Sequence, residues 1–253
     1  MRSFILAIGL LSGLCTIPAV AADMPVKAPV RTPVEVAYNW TGFYIGAHVG
    51  GVWGNKDLNR VSLLGIPNAP EPFGSHDVSG VLGGGQIGFN WQTGRLVLGI
   101  EAQVSWTNAD GEHIIQPAQD TRARTELNWF GTAAVRVGHT WDRALIYLKG
   151  GAAWIDEDYF LSQVQTGELL ATASETRWGW MVGAGVELAL SGNWSAKLEY
   201  NYMDFGKELR DFTFTPALGG AFCCGVDIEQ HLHVVKFGIN YRFAAGAPVV
   251  ARY

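Results

Sequence analysis

The sequence predicts an all-β fold: an eight-stranded antiparallel up-and-down transmembrane β-barrel with short periplasmic turns and four long extracellular loops. Three observations carry that expectation. Segments of alternating apolar and polar residues recur between turn signals, the charge inside those segments falls on one face, and all ten tryptophans stand at or next to segment ends. Composition agrees, because 48% hydrophobic residues with 32 glycines and only 16% charged residues is unusual for a soluble domain.

At the N-terminus, Arg2, an apolar run from Phe4 to Leu14 and the A-x-A-like "PAVAAD" read as a secretory signal peptide over 1–21, cleaved after Ala21 or Ala22. The run is far shorter than the roughly 20 residues a spanning helix requires. Leu14 precedes Cys15 where a lipid anchor would want a small residue, so no anchor is read there. Residues 22–39 carry Pro25, Pro29 and Pro33 without apolar periodicity and are expected to form an extended periplasmic linker. The barrel is expected over 40–243 and a C-terminal tail over 244–253.

Within the barrel, alternation predicts strands at 41–53, 79–92, 95–107, 126–141, 144–155, 176–190, 194–203 and 230–243. "QTGR", "WDRA" and "SGNW" are tight turns on one side, while 54–78, 108–125, 156–175 and 204–229 read as long polar loops on the other. Short turns on the side of both termini, opposite long loops, is the layout of an outer-membrane barrel.

One face of these strands holds Phe43, Ile45, Val49, Val81, Ile87, Phe89, Leu96, Leu98, Ile100, Val104, Leu127, Val135, Val137, Ile146, Leu148, Val182, Val186, Leu188, Ala196, Leu198, Val235, Phe237 and Ile239, none of them charged. The other holds Glu101, Arg136, Lys149, Glu187, Lys197, Glu199, Lys236 and Arg242, interleaved with glycines. A soluble barrel would turn its apolar face inward. An eight-stranded lumen has little room for bulk, however, so the glycine-rich charged face belongs inside. Trp53, Trp106, Trp129, Trp154, Trp178 and Trp180 then mark an outer girdle, and Trp40, Trp91, Trp141 and Trp194 a periplasmic one.

"ADMPVKAP" after the signal, "NWTGFYIGAHVGG" opening the barrel and "HVVKFGINYRF" closing it resemble the small alphaproteobacterial outer-membrane proteins known as outer-membrane immunogenic or RopB-type porin-like proteins. The resemblance spans essentially the whole chain. It implies an eight-stranded barrel, surface exposure and antigenicity, with haem binding or adhesion attributed to some members. Lys236, Gly238, Tyr241 and Phe243 look like the signal read by the barrel-assembly machinery. Ten residues follow them, so Phe243 and Tyr253 are both candidates for the terminal aromatic.

Little else suggests chemistry. "GGGQIG" (83–88) matches a dinucleotide fingerprint, but no helix follows and alternate positions face the apolar side. No nucleophilic set is recognisable, and neither an enzyme nor a cofactor is expected. Glu199 with Lys236, and Glu187 with Lys197, fall on neighbouring strands, where ion pairs would plug the lumen; the functional alternative is a narrow ion path. Cys223, Cys224, His231 and His233 are the weak metal or haem candidates. After the signal, 17 basic side chains face 23 acidic ones, which argues against nucleic acid. The four loop segments carry 16 acidic against six basic residues, which suits divalent-cation bridging to lipopolysaccharide and repels haem propionates. The function classes left are a structural surface barrel, a binding or adhesion module and a small-solute pore.

Overall fold

The computed structural model describes residues 38–63, 66–115, 120–214 and 222–244. Eight strands, β1 (Gly42–Leu63), β2 (Ile66–Thr93), β3 (Leu96–Ile114), β4 (Thr121–Trp141), β5 (Ala144–Gln163), β6 (Leu169–Ala189), β7 (Trp194–Phe214) and β8 (Phe222–Ala244), form one closed antiparallel ring. β8 pairs back onto β1 over nearly its whole length. The signal peptide, the linker up to residue 37 and residues 245–253 lie outside the described residues. Tyr38 and Asn39, expected in the linker, are described at the barrel mouth.

The three short turns are where the sequence places them, with Gly94, Asp142 and Gly192 at φ of 61°, 52° and 59° supplying the left-handed residue each needs. Much of the four segments read as long loops is strand. The strands run 19 to 28 residues, and 54–63, 66–78, 108–114, 121–125, 156–163, 169–175, 204–214 and 222–229 continue them as paired hairpins. Beyond Trp53, ten further residues of β1 raise the wall by roughly 25 Å at the ~3.3 Å rise and ~40° tilt of such barrels. Polar composition reads as loop, but here it marks strands whose outer face meets water.

In the half nearer the short turns, the alternation holds as read. Phe43, Val49, Val81, Ile87, Ile100, Val135, Leu148 and Leu198 are exposed on the wall, and Trp53, Trp106, Trp178 and Trp180 stand exposed at one rim, Trp91, Trp141 and Trp194 at the other. Two residues depart. Leu127 is buried in the lumen, because a register shift between Leu127 and Trp129 inverts the facing of β4 beyond that point. Trp40 is no girdle residue: at 1% exposure it sits in the barrel mouth against Val97, Leu145, Tyr147 and Ala189. Its backbone N–H donates to Gln92 Oε1 at 2.7 Å, and Tyr38 packs beside it. Strand 1 is glycine-rich because its lumenal side is crowded; a methyl on Gly46 would overlap Asn240 and Gln86.

Above the Trp53 rim the ring is not evenly knit. Among the described residues, β2 pairs with β3 only up to Ser79↔Asp110, leaving 66–78 and 111–114 without partners across that seam. β6 and β7 pair up to Trp180↔Asp204 and meet again only at Thr172↔Thr213 and Ala171↔Phe214. The cause of the second gap is a bulge on β7 between Asp204 and Lys207, where Gly206 takes φ 65° and turns the strand away from β6. The seams are diametrically opposite. The upper half is therefore two four-stranded sheets, β7–β8–β1–β2 and β3–β4–β5–β6, closed face to face over an apolar core that includes Leu58, Phe212, Val226 and Ile228 from one and Ala123, Tyr159, Leu161 and Ala171 from the other.

Candidate functional site: a layered, filled lumen

Alternation turns every second residue of each strand into the barrel, and the inward side chains stack in layers. Nearest the short turns, above Trp40, lies a tier of three carboxylates and four cations. Glu199 Oε1 is 2.8 Å from Lys149 Nζ and 3.4 Å from Lys236 Nζ, and its Oε2 is 3.4 Å from Lys197 Nζ. Glu101 takes Lys149 and Lys197 at 2.9 Å each. Arg136 lies 3.2 Å from Glu187, with its guanidinium between the Tyr44 and Tyr147 rings at 4.8 and 4.9 Å. The Tyr44 hydroxyl donates to Glu101 and the Tyr147 hydroxyl to Glu199, at 2.9 and 2.8 Å. Confined charges bonded in this way, with Arg136 Nη2 left over among the described residues, rigidify the interior.

Seven of the eight lumenal charges read from the sequence are buried in this tier. Arg242 is at the mouth instead, donating to the Tyr38 hydroxyl and the Thr41 carbonyl. Of the two expected pairs, Glu199–Lys236 is present and Glu187–Lys197 is not. Their α-carbons are register partners, but Lys197 reaches to Glu101 and Glu199, while Glu187 is held by Arg136, Ser195 and Asn240. The lumen is narrow enough for contact across its diameter to outcompete contact between neighbouring strands.

Above this tier, His48 bonds Gln86 and Ser105 at 2.5 and 2.8 Å. An apolar layer follows, with Val52, Leu82, Phe130, Ile155, Met181 and Leu232. Next comes a polar tier that the loop reading had hidden. Lys56 Nζ is 2.8 Å from Glu157, which also accepts from Tyr159 and Gln230 at 2.7 and 2.8 Å. Arg177 projects from β6 at the second seam, where its Nη2 lies 3.0 to 3.2 Å from the carbonyls of Phe205, Gly206 and Ile228. It thereby takes up two β7 carbonyls, those of Phe205 and Gly206, where the β6–β7 ladder is missing. Continued parity marked this tier: Ile155, Glu157, Tyr159 and Leu161 keep the inward facing of Lys149 straight past Trp154.

Over residues 8–243 the sequence matches the family described as outer membrane protein beta-barrel domain. The chain belongs to this family. It is 33% identical over 253 residues to the 31 kDa outer-membrane immunogenic protein of Brucella melitensis, covering 96% of this chain and 100% of that one. It is 28% identical to the 22 kDa outer membrane protein of Rhizobium leguminosarum, covering 84% and 82%. The solved outer membrane protein OprG from Pseudomonas aeruginosa shares the fold, with a TM-score of 0.50 at 12% identity, covering 81% of this chain and 98% of that one. The chain is thus an outer-membrane β-barrel protein. In such barrels the short turns face the periplasm and the longer hairpins the exterior, so the two joined sheets stand outside the cell.

Of the metal or haem candidates in this outer-membrane barrel, the two histidines stand together, their rings 5.9 Å apart, and Cys224 faces the other side of the wall. His231 and His233 point out of the wall at the outer rim, where His233 stacks on Trp53 and accepts or donates at 2.7 Å to the Tyr200 hydroxyl. Cys224 points inward into the upper core, and the Cys223 side chain lies outside the described residues. Among the described residues no three His, Cys, Asp or Glu side chains gather as a metal would need. Of the assembly-signal residues, Lys236 and Gly238 face the lumen, while Tyr241 and Phe243 face outward at the periplasmic rim, their rings 5.2 Å apart.

Proposed function

We propose that this outer-membrane barrel is a structural, surface-exposed and antigenic protein that contributes to envelope integrity, rather than a pore. The observation that carries the reading is the filled lumen: a tryptophan cap, a bonded charged tier, an apolar layer, a second polar tier and an apolar upper core follow one another along the axis. Ion passage would require breaking at least the Glu199 and Lys56–Glu157 contacts together. Refolded barrel in a planar bilayer is expected to give no discrete conductance steps; steady unitary steps would overturn the reading.

The outward surface above the rim supports lipopolysaccharide as the envelope partner. Removing the buried Lys56 and Glu157 leaves its acidic excess unchanged, and Asp110, Glu126 and Asp158 are direct cross-strand neighbours on β3, β4 and β5. Arg124 offsets part of this charge, lying 3.5 Å from Asp110 and 3.1 Å from Glu126; the remaining like charges repel, and divalent cations shared with lipid phosphates relieve that repulsion. The relatives named immunogenic lend the antigenic part, since the two outer sheets are the surface an antibody would meet.

For the barrel-assembly machinery as partner, the support is that β8 closes the ring with Phe243 opposite Phe43, before the tail begins. Deleting 244–253 is expected to leave the folded, heat-modifiable band in outer-membrane fractions nearly unchanged. Phe243→Ala with the tail intact is expected to reduce it severalfold. The opposite pattern would make Tyr253 the aromatic that is read.

A further inference from the structure

Above Ser79↔Asp110, where β2 and β3 share no ladder pairs, a pair of imidazoles bridges the two strands. His76 on β2 and His113 on β3 stack at 4.9 Å between centroids, 23° from parallel, with their Nδ1 atoms 2.9 Å apart. At that separation one hydrogen fits between the two nitrogens. One ring donates and the other accepts, so at least one of the pair must be neutral. His76 is only 6% exposed and, among the described residues, its Nε2 has no hydrogen-bond partner, so a second charge would be buried without a hydrogen bond there.

We infer that His76 and His113 form a pH-operated clasp that lets the β2–β3 seam of the extracellular half open as the surrounding medium turns acid. The charged groups facing His76 are Lys56 from β1, Glu157 from β5, Asp77 on its own strand and His113 from β3. Glu112 and Arg122 pair with each other on the outer face of β3 and β4 at 3.7 Å. Glu157, itself bonded to Lys56, and Asp77 both favour an imidazolium, but less than burial, Lys56 and His113 oppose it. Burial, then the Lys56 charge, then His113 bring the His76 imidazole down to about 4 in the closed clasp. In an opened seam it would titrate near the ordinary ~6.5. The open form therefore takes up a proton where the closed form does not. Closure is complete above that ordinary value and is lost as pH falls toward 4, a shift on the order of a hundredfold in favour of opening. Burial brings Lys56 down to about 8, so it keeps its charge throughout this window. Burial raises the Glu157 carboxyl, but Lys56 together with hydrogen bonds from Tyr159 and Gln230 holds it below the usual carboxylate value in the closed state.

The fold makes the clasp consequential, because along 66–78 β2 is laddered to β1 but not to β3. Pro67, Pro70 and Pro72 on that stretch cannot donate along it, which blunts it against pairing with another chain once freed. Mature protein with Cys223 and Cys224 replaced by Ser and Ala, nitroxide-labelled at Ser75→Cys and Glu112→Cys, would be refolded into phospholipid vesicles. Distances would be measured by double electron–electron resonance at pH 7.5, 5.5 and 4. One short distance at pH 7.5 is expected to give way, reversibly, to a longer population that dominates by pH 4. His76→Phe should hold the short distance at every pH, and the His76→Phe, His113→Phe double variant should do the same if the single one fails to refold. Distances unchanged to pH 4, or an acid response that persists in the phenylalanine variants, would overturn the clasp.

Discussion

Replacing Glu199 by Ala is expected to lower the stability of the membrane-embedded barrel by about 3–5 kcal/mol, the range for removing one partner of a buried ion pair. Glu199 is the shared acceptor of its tier, within 3.4 Å of Lys149, Lys197 and Lys236. The three lysines do not lose equally. Lys149 and Lys197 retain Glu101 at 2.9 Å, whereas Lys236 keeps only Gln103. The second substitution that restores most stability should therefore be Lys236→Met; Lys149→Met in the same background should restore less. Denaturant midpoints of the refolded variants measure this. Additive losses, with no recovery in the Glu199→Ala, Lys236→Met double variant, would show that the pair is not energetically coupled.

What the sequence makes legible here is whatever depends on parity and turn chemistry. Phe43 to Val49 opposite Tyr44 to His48, repeated in each strand, decides which face meets lipid, and seven buried charges follow from it. "QTGR", "WDRA" and "SGNW" close where a left-handed residue is available. Three things resist such reading, each for a physical reason. Leu127 changes face at a bulge, and a bulge leaves no compositional trace. Glu187 and Lys197 are neighbours in register but partners to other residues, because pairing across a narrow lumen is a three-dimensional property. The outer half reads as loops because its outward residues are polar. The inward positions Lys56, Leu58, Glu157 and Leu161 keep the strand period, but mix charge with bulk in a way that one face of a membrane strand does not. The seams at β2–β3 and β6–β7 are absences of pairing, which no period reports.

Glu157→Ala tests whether those seams divide the molecule energetically. Glu157 on β5 is bonded to Lys56 on β1 and Gln230 on β8, so it ties one outer sheet to the other where no ladder does. Its loss leaves the fully buried Lys56 without its carboxylate and close enough to Arg177 to feel its charge. About 3–5 kcal/mol should again be lost, but from the opening of the outer sheets and not from the membrane barrel, which has its own charged tier and an apolar layer between. Trypsin reports opening at Lys56, Arg60 and Lys207. Cleavage there tracks the open population, so the variant should be cut at least about a hundredfold faster than the wild type, at ~1.4 kcal/mol per tenfold. The trypsin-resistant membrane part should keep its heat-modifiable mobility. Glu157→Leu with Lys56→Met, which removes both charges and fills the space, should restore resistance. If Glu157→Ala instead weakens the whole barrel together, with no selective cleavage outside, the two halves are one cooperative unit and the seams are only local irregularities of the wall.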